Sequence, residues 1–216
     1  MAALDLEEQE QLSAIKGWWE ENGKFITTTL LAASITLAGY QGWQWHVRSQ
    51  ASEASQLFAQ VNKAAGEANV QRSRDAAGQV LEKFAGTAYA DMAALVSAKA
   101  QVDGADLKNA QAQLQWAADK GNDPVLRDVA RLRLAAVQLD QQQYDEALKT
   151  LSVTPDAAFA ARYADLKGDV LFAQGKTAEA KAAYQSALDA MKAATGEPSP
   201  LKAVVEAKLD SLGGAR

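Results

Sequence analysis

The sequence predicts an all-α fold: an array of about four helix hairpins closed by a C-terminal capping helix and preceded by one N-terminal transmembrane helix. Three observations lead there. Residues 25–47 carry no formally charged side chain. Between Phe25 and Thr195 the only prolines are Pro124 and Pro155, and Ala, Leu, Gln, Lys and Glu, which favour helix, dominate. Small residues also recur at intervals close to the length of one helix-turn-helix repeat.

Residues 1–24 form an acidic tail, with Asp5, Glu7, Glu8, Glu10, Glu20 and Glu21 against Lys16 and Lys24. A cleavable leader would begin with a short basic stretch and end in a small-x-small site, and neither is present. Leu12, Ile15 and Trp19 fall on one helical face, which suits either a membrane surface or a cytoplasmic partner. The 23 residues from Phe25 to Val47 would span about 34 Å as a helix, enough for one crossing of a hydrocarbon core of about 30 Å. Trp18 and Trp19 before this segment, and Trp43 and Trp45 near its end, stand where interfacial aromatic belts are expected. Thr27, Thr28, Thr29, Ser34, Thr36, Gln41 and Gln44 dilute its hydrophobicity and require hydrogen-bond partners in the backbone or in another helix. Ser34, Ala38 and Gly42 recur every fourth residue, a candidate packing face for a neighbouring membrane helix. Lys16 and Lys24 precede the segment while Arg48 and Lys63 follow it, so the positive charges tie and leave the topology open.

Residues 48–212 read as the repeat domain. From Ala161 to Ala194, Gly168, Leu171, Gly175, Ala180, Tyr184 and Ala187 stand at the offsets of a tetratricopeptide repeat. Gly168 and Ala180 let two antiparallel helices approach, Leu171 and Tyr184 fill the space between them, and Gly175 allows the turn. The preceding unit places Leu134 and Ala135 in a first helix and Tyr144, Ala147 and Leu151 in a second, with Gln142 replacing the turn glycine. Taking Ala76, Ala110, Ala147 and Ala180 as equivalent gives spacings of 34, 37 and 33 residues. Gly121-Asn122-Asp123-Pro124, Thr154-Pro155-Asp156 and Gly196-Glu197-Pro198-Ser199-Pro200 divide the units. Leu201, Val204, Val205, Lys208, Leu209 and Leu212 form the stripe of a capping helix, and residues 213–216 are an expected frayed terminus. Arg48 to Ala68 contains no proline, so the membrane helix is expected to run on into the first repeat helix.

Composition narrows function further. Six of 27 acidic residues and two of 22 basic ones lie in the tail, leaving residues 48–216 nearly neutral, without a nucleic-acid footprint. No cysteine is present, and His46 is the only histidine. Thiolate chemistry, a histidine base and Cys- or His-ligated metal sites are therefore unavailable. No paired carboxylates on recognisable loops suggest a hydrolase, so the sequence predicts neither catalytic residues nor cofactors. What remains is binding along the groove of first helices. Its candidate residues are Val129, Leu132, Ala136 and Leu139 in one unit and Arg162, Asp165, Asp169 and Phe172 in the next. Leu132 and Leu139 are expected to tolerate polar replacement without loss of the fold.

The tail motif Glu8-Gln9-Glu10-Gln11, the run Ile15-Lys16-Gly17-Trp18-Trp19-Glu20-Glu21-Asn22-Gly23-Lys24, and Arg131-Leu132-Arg133-Leu134-Ala135 with Ala147-Leu148-Lys149-Thr150-Leu151 resemble the bacterial YfgM family of ancillary Sec translocon subunits. The resemblance covers essentially the whole chain. It implies a single-pass protein of the inner membrane with its N-terminus in the cytoplasm and its repeats in the periplasm. The partners it implies are the SecYEG translocon and a PpiD-type periplasmic chaperone, and its work there would help newly translocated clients to fold. The alternative is a membrane-anchored scaffold for a different, cytoplasm-facing complex.

Overall fold

A computed structural model describes residues 6–193 and 200–213, with only the backbone of Leu6 and Glu7. Among these residues the chain is helical, with nine α-helices and no strand. It divides into two compact units, Met1–Ser49 and Gln50–Arg216.

The first unit consists of the N-terminal part of α1 (Leu6–Gly66), a helix that begins within the acidic tail. Its polar side chains are largely satisfied by its own backbone. Thr27, Thr29, Ser34 and Thr36 hydroxyls donate to the carbonyls of Gly23, Phe25, Leu30 and Ala32 at 2.7–2.9 Å, and Thr28 donates to that of Lys24. The Gln44 amide donates to the Tyr40 hydroxyl at 2.8 Å. Phe25, Leu30, Leu31, Ile35 and Leu37 are all exposed, as are Ser34, Ala38 and Gly42. No helix among the described residues is long and apolar enough to cross a membrane. The threonines, glutamines and glycines that interrupt residues 25–47 are the physical reason.

The second unit contains four hairpins and a closing helix. The C-terminal part of α1 pairs with α2 (Val70–Lys83), α3 (Ala88–Asp103) with α4 (Leu107–Lys120), α5 (Pro124–Asp140) with α6 (Tyr144–Thr150), and α7 (Ala160–Ala173) with α8 (Thr177–Ala193). Helix α9 (Pro200–Ser211) follows. The proline at the first position of α5 costs no hydrogen bond, and the Asp123 carboxylate caps that helix by accepting from the Val125 and Leu126 N–H groups. The expected break at 196–199 and residues 214–216 of the terminus expected to fray from 213 onward lie outside the described residues, while the Gly213 carbonyl accepts from Lys181 at 2.9 Å.

One turn is used four times. Ala68, Ala105, Gln142 and Gly175 occupy the left-handed region, with φ of 54°, 60°, 59° and 76°. After each, the next residue's N–H reaches a carbonyl five positions back. The four bonds are Asn69 to Ala64, Asp106 to Gln101, Gln143 to Gln138 and Lys176 to Leu171, at 2.7–2.9 Å. This helix-ending bond pattern satisfies carbonyls that the helix itself leaves unpaired. The turn also corrects the repeat register read from the sequence. Five residues beyond it stand Ser73, Ala110, Ala147 and Ala180, each fully buried. Ser73, not Ala76, therefore begins the series, and the first spacing is 37 residues instead of 34.

Seven residues before the turn and nine after it, first and second helices meet in pairs: Val61 with Ala77, Ala98 with Leu114, Ala135 with Leu151, and Gly168 with Tyr184. The members of the first three pairs share a buried cluster, two by two. In the fourth, a Cβ added at Gly168 would stand 2.4 Å from Tyr184 Cε1. The sizes compensate, since a larger side chain on one helix faces a smaller one on the other, as close packing demands. At the end of the array Val205 is fully buried against Leu171, Tyr184 and Leu188, with Leu201, Leu209 and Leu212 packed around it. Val204, expected in this stripe, is half exposed, because helical phase sets it at the edge of the buried face of α9.

Two outcomes test this packing. Gln142→Gly relieves a left-handed side chain and is expected to raise stability by about 0.5–1 kcal/mol in urea unfolding. Gly168→Ala is expected to lower it by about 1–3 kcal/mol through overpacking, and Tyr184→Leu in the same chain should restore part of that loss by reproducing the Ala135–Leu151 pair.

Candidate partner-binding groove

The first helices α3, α5 and α7 share a face on which two clefts open. One, of about 280 Å³, lies between α3 and α5 and is lined by Ala98, Val102, Leu114 and Val137, with Lys99, Arg133 and Asp140 at its polar positions. The other, of about 390 Å³, lies between α5 and α7 and is lined by Val129, Leu132, Phe159 and Leu201, with Arg133, Arg162 and Asp165. Arg133 and Ala136 belong to both, so the clefts form one groove.

Five of the eight residues expected from sequence come together in the second cleft: Val129, Leu132, Ala136, Arg162 and Asp165. Three do not. Leu139 packs against the cluster of Ala135, Ala147, Leu151, Tyr163 and Val170. Phe172 is half exposed and lines neither cleft. Asp169 is committed to internal bonds, accepting from the Tyr184 hydroxyl at 2.8 Å and pairing with Lys208 at 2.7 Å. Leu132 also packs on that cluster while lining the cleft. The expectation that Leu132 and Leu139 tolerate polar replacement is therefore corrected, because either change removes apolar contacts from the core. Ala136 and Arg162 report on the groove with less damage.

Sequence reasoning missed Arg133, Phe159 and Leu201. Arg133 was within reach, since it stands four residues after Val129 and three before Ala136, on the same helical face. Leu201 could not be placed from sequence because α9 reaches the groove only through its packing on the last hairpin.

Helix α9 is fastened by charge as well as by apolar contact. Lys208 donates to Asp165 and Asp169 of α7, each at 2.8 Å, with its ammonium 5.5 Å from the Tyr184 ring centre. Burial works to lower the Lys208 pKa, but the hydrogen bonds to Asp165 and Asp169 and their charges outweigh it and hold the value above the usual 10.5. Burial raises the Asp165 carboxyl, aided by the Asp169 charge and opposed by Lys208. The two directions are compatible because two carboxylates share one cation.

Two buried carboxylates hold the loops that follow α4 and α6. Asp91, at the start of α3, accepts from the Asn122 and Asp123 N–H groups at 2.8 and 3.0 Å. Asp128, 37 residues later in α5, accepts from the Asp156 N–H at 2.9 Å, from the Tyr163 hydroxyl at 3.1 Å and from Arg131 at 2.9 Å. Arg133 donates to the Leu95 carbonyl at 3.3 Å and so bridges α5 to α3. Among the described residues, no group of three or more His, Cys, Asp or Glu side chains is placed to hold a metal ion.

Repeated hairpins, an open groove along their first helices and a capping helix define a tetratricopeptide-like repeat protein. The tetratricopeptide repeat-like domain family matches residues 16–214. Relatives named ancillary SecYEG translocon subunit align over most of their length. The one from Haemophilus influenzae is 33% identical over 191 residues, covering 86% of this chain and 90% of the relative. That from Neisseria gonorrhoeae is 31% identical over 211 residues, covering 97% and 99%. That from Escherichia coli K12 is 34% identical over 182 residues, covering 83% and 86%. The chain belongs to this family of ancillary SecYEG translocon subunits.

The pinned helix yields a prediction with a definite sign. Lys208→Met leaves two partly buried carboxylates without their cation and is expected to cost about 1–2 kcal/mol in urea unfolding at neutral pH. A lysine pKa raised on folding contributes stability that is complete below its unfolded value and lost as pH rises through the folded one. The gap between wild type and variant should therefore hold steady at neutral pH and narrow above the ordinary value of 10.5.

Proposed function

We propose that this protein is a non-enzymatic, membrane-anchored adaptor of the Sec translocon. In this reading residues 25–47 cross the bacterial inner membrane once, with the acidic tail in the cytoplasm and the repeats in the periplasm. The repeat groove engages a periplasmic chaperone of the PpiD type or an emerging client, and so helps newly translocated proteins to fold.

The observation that carries the reading is the groove on α3, α5 and α7, an apolar channel with charged rims in a scaffold that belongs to a translocon-subunit family. Arrays of this kind bind extended or helical segments along their first helices. The anchor is supported by the exposed Phe25, Leu30, Leu31, Ile35 and Leu37 side chains, for which lipid is the natural surrounding. Their polar neighbours bond to the same helix, which lowers the cost of placing them in hydrocarbon. The Ser34, Ala38 and Gly42 stripe suits close approach of a translocon helix.

Protease treatment of a C-terminal tag, in intact spheroplasts and after lysis, tests the topology. Digestion in intact spheroplasts is expected. Protection until lysis, with the tag then cleaved, would place the repeats in the cytoplasm and favour a scaffold of a different, cytoplasm-facing complex. With digestion established, a photocrosslinker at Ala38 should join the chain to the translocon channel.

A further inference from the structure

The groove carries a charge pattern that specifies its occupant more narrowly than an apolar channel would. Resting on the adaptor reading above, we infer that the cleft between α5 and α7 receives a protein segment in which an apolar side chain is flanked by a carboxylate. Arg133 and Arg162 contact that carboxylate while the apolar side chain enters between Val129, Ala136 and Phe159.

The argument is one of unspent charge. The whole chain is acidic, with a formal net charge of −5, yet the polar lining of this cleft is two arginines and one aspartate. That aspartate is already committed, because Asp165 holds Lys208 of α9 at 2.8 Å. Neither arginine is paired with a carboxylate among the described residues. Arg133 spends one N–H on the Leu95 carbonyl, which steadies the side chain and leaves its remaining donors for a ligand. Lys99, which lines the neighbouring cleft together with Arg133 and Asp140, pairs with Asp103 at 2.5 Å. Positive charge is thus concentrated where α5 faces α7, beside an apolar floor. At about 390 Å³ the cleft falls within the roughly 300–1,000 Å³ of ligand sites. Arginine's fork matches a carboxylate in geometry as well as charge. A basic segment would instead meet two like charges, which disfavours it.

The test uses the full chain in detergent, immobilised through a C-terminal tag. It is offered a pool of dodecapeptides made of Leu, Phe, Ser and Glu, and a matching pool with Lys in place of Glu. The acidic pool should be retained about tenfold more at low ionic strength, with the preference shrinking as salt screens the contact. Arg133→Gln with Arg162→Gln should abolish the preference while the circular dichroism stays unchanged. Should the double variant unfold, Arg162→Gln alone, at an exposed position, should weaken it. Equal retention of the two pools, preference for the basic pool, retention of neither, or a preference that survives loss of the arginines would each overturn the inference. So would binding of phosphatidylglycerol vesicles to the same arginines in place of the peptides. Recovery of the translocon with the wild-type chain from membranes, measured in parallel, separates the two levels. If the translocon is recovered and the charge preference is absent, only this inference falls. If the translocon is not recovered, the adaptor reading falls with it.

Discussion

The left-handed turn that closes each hairpin is the constraint on which the rest of the array depends. Fixing φ near +60° at Ala68, Ala105, Gln142 and Gly175 sets where the second helix begins relative to the first. Once that phase is fixed, the residue seven before the turn must meet the one nine after it. Side-chain size is then no longer free on either helix. The Gly168–Tyr184 contact is the extreme case, in which a whole aromatic ring occupies the space of an absent side chain. Only one of the four turns uses glycine, although a left-handed side chain costs roughly 1–2 kcal/mol. The other three rely on packing and on the bond to the carbonyl five residues back to hold an unfavourable backbone in place.

The groove follows from this geometry. With each second helix held behind its first, α3, α5 and α7 present consecutive faces, and the clefts are the spaces left between them. Helix α9 closes the series in two ways, by placing Val205 in the last core cluster and Lys208 between two carboxylates of α7. That second contact engages the groove carboxylate Asp165 with Lys208 and leaves Arg133 and Arg162 without a carboxylate partner among the described residues.

Much of this was legible in the sequence because it is local or periodic. The helices, the hairpin boundaries at Pro124 and Pro155, the turn at Gln142 and the capping stripe around Val205 all follow from spacing and backbone propensity. Ser73 escaped because a buried serine does not resemble the alanines it replaces, and Ala76, one helical turn later, imitated the pattern. The commitments of Asp169 and Leu139 escaped for another reason. A helical-face argument says which residues point the same way, not which neighbour has already claimed them. The polar character of residues 25–47 was visible from the start, but its settlement by bonds to the same helix belongs to the folded backbone.

The buried carboxylates make the hairpins unequal. Asp91 and Asp128 each tie the start of a first helix to the loop that follows the second, closing α3–α4 and α5–α6 into rings of backbone and side chain. The corresponding positions in the outer hairpins, Ala54 and Ala161, have no group that could form such a tie. The two middle hairpins therefore carry a tie that the outer two lack, and the last hairpin is held instead by Val205 and Lys208 of α9. A partner seated at Arg133, which itself bridges α5 to α3, would thus rest on the two hairpins whose closing loops are tied back to their own first helices.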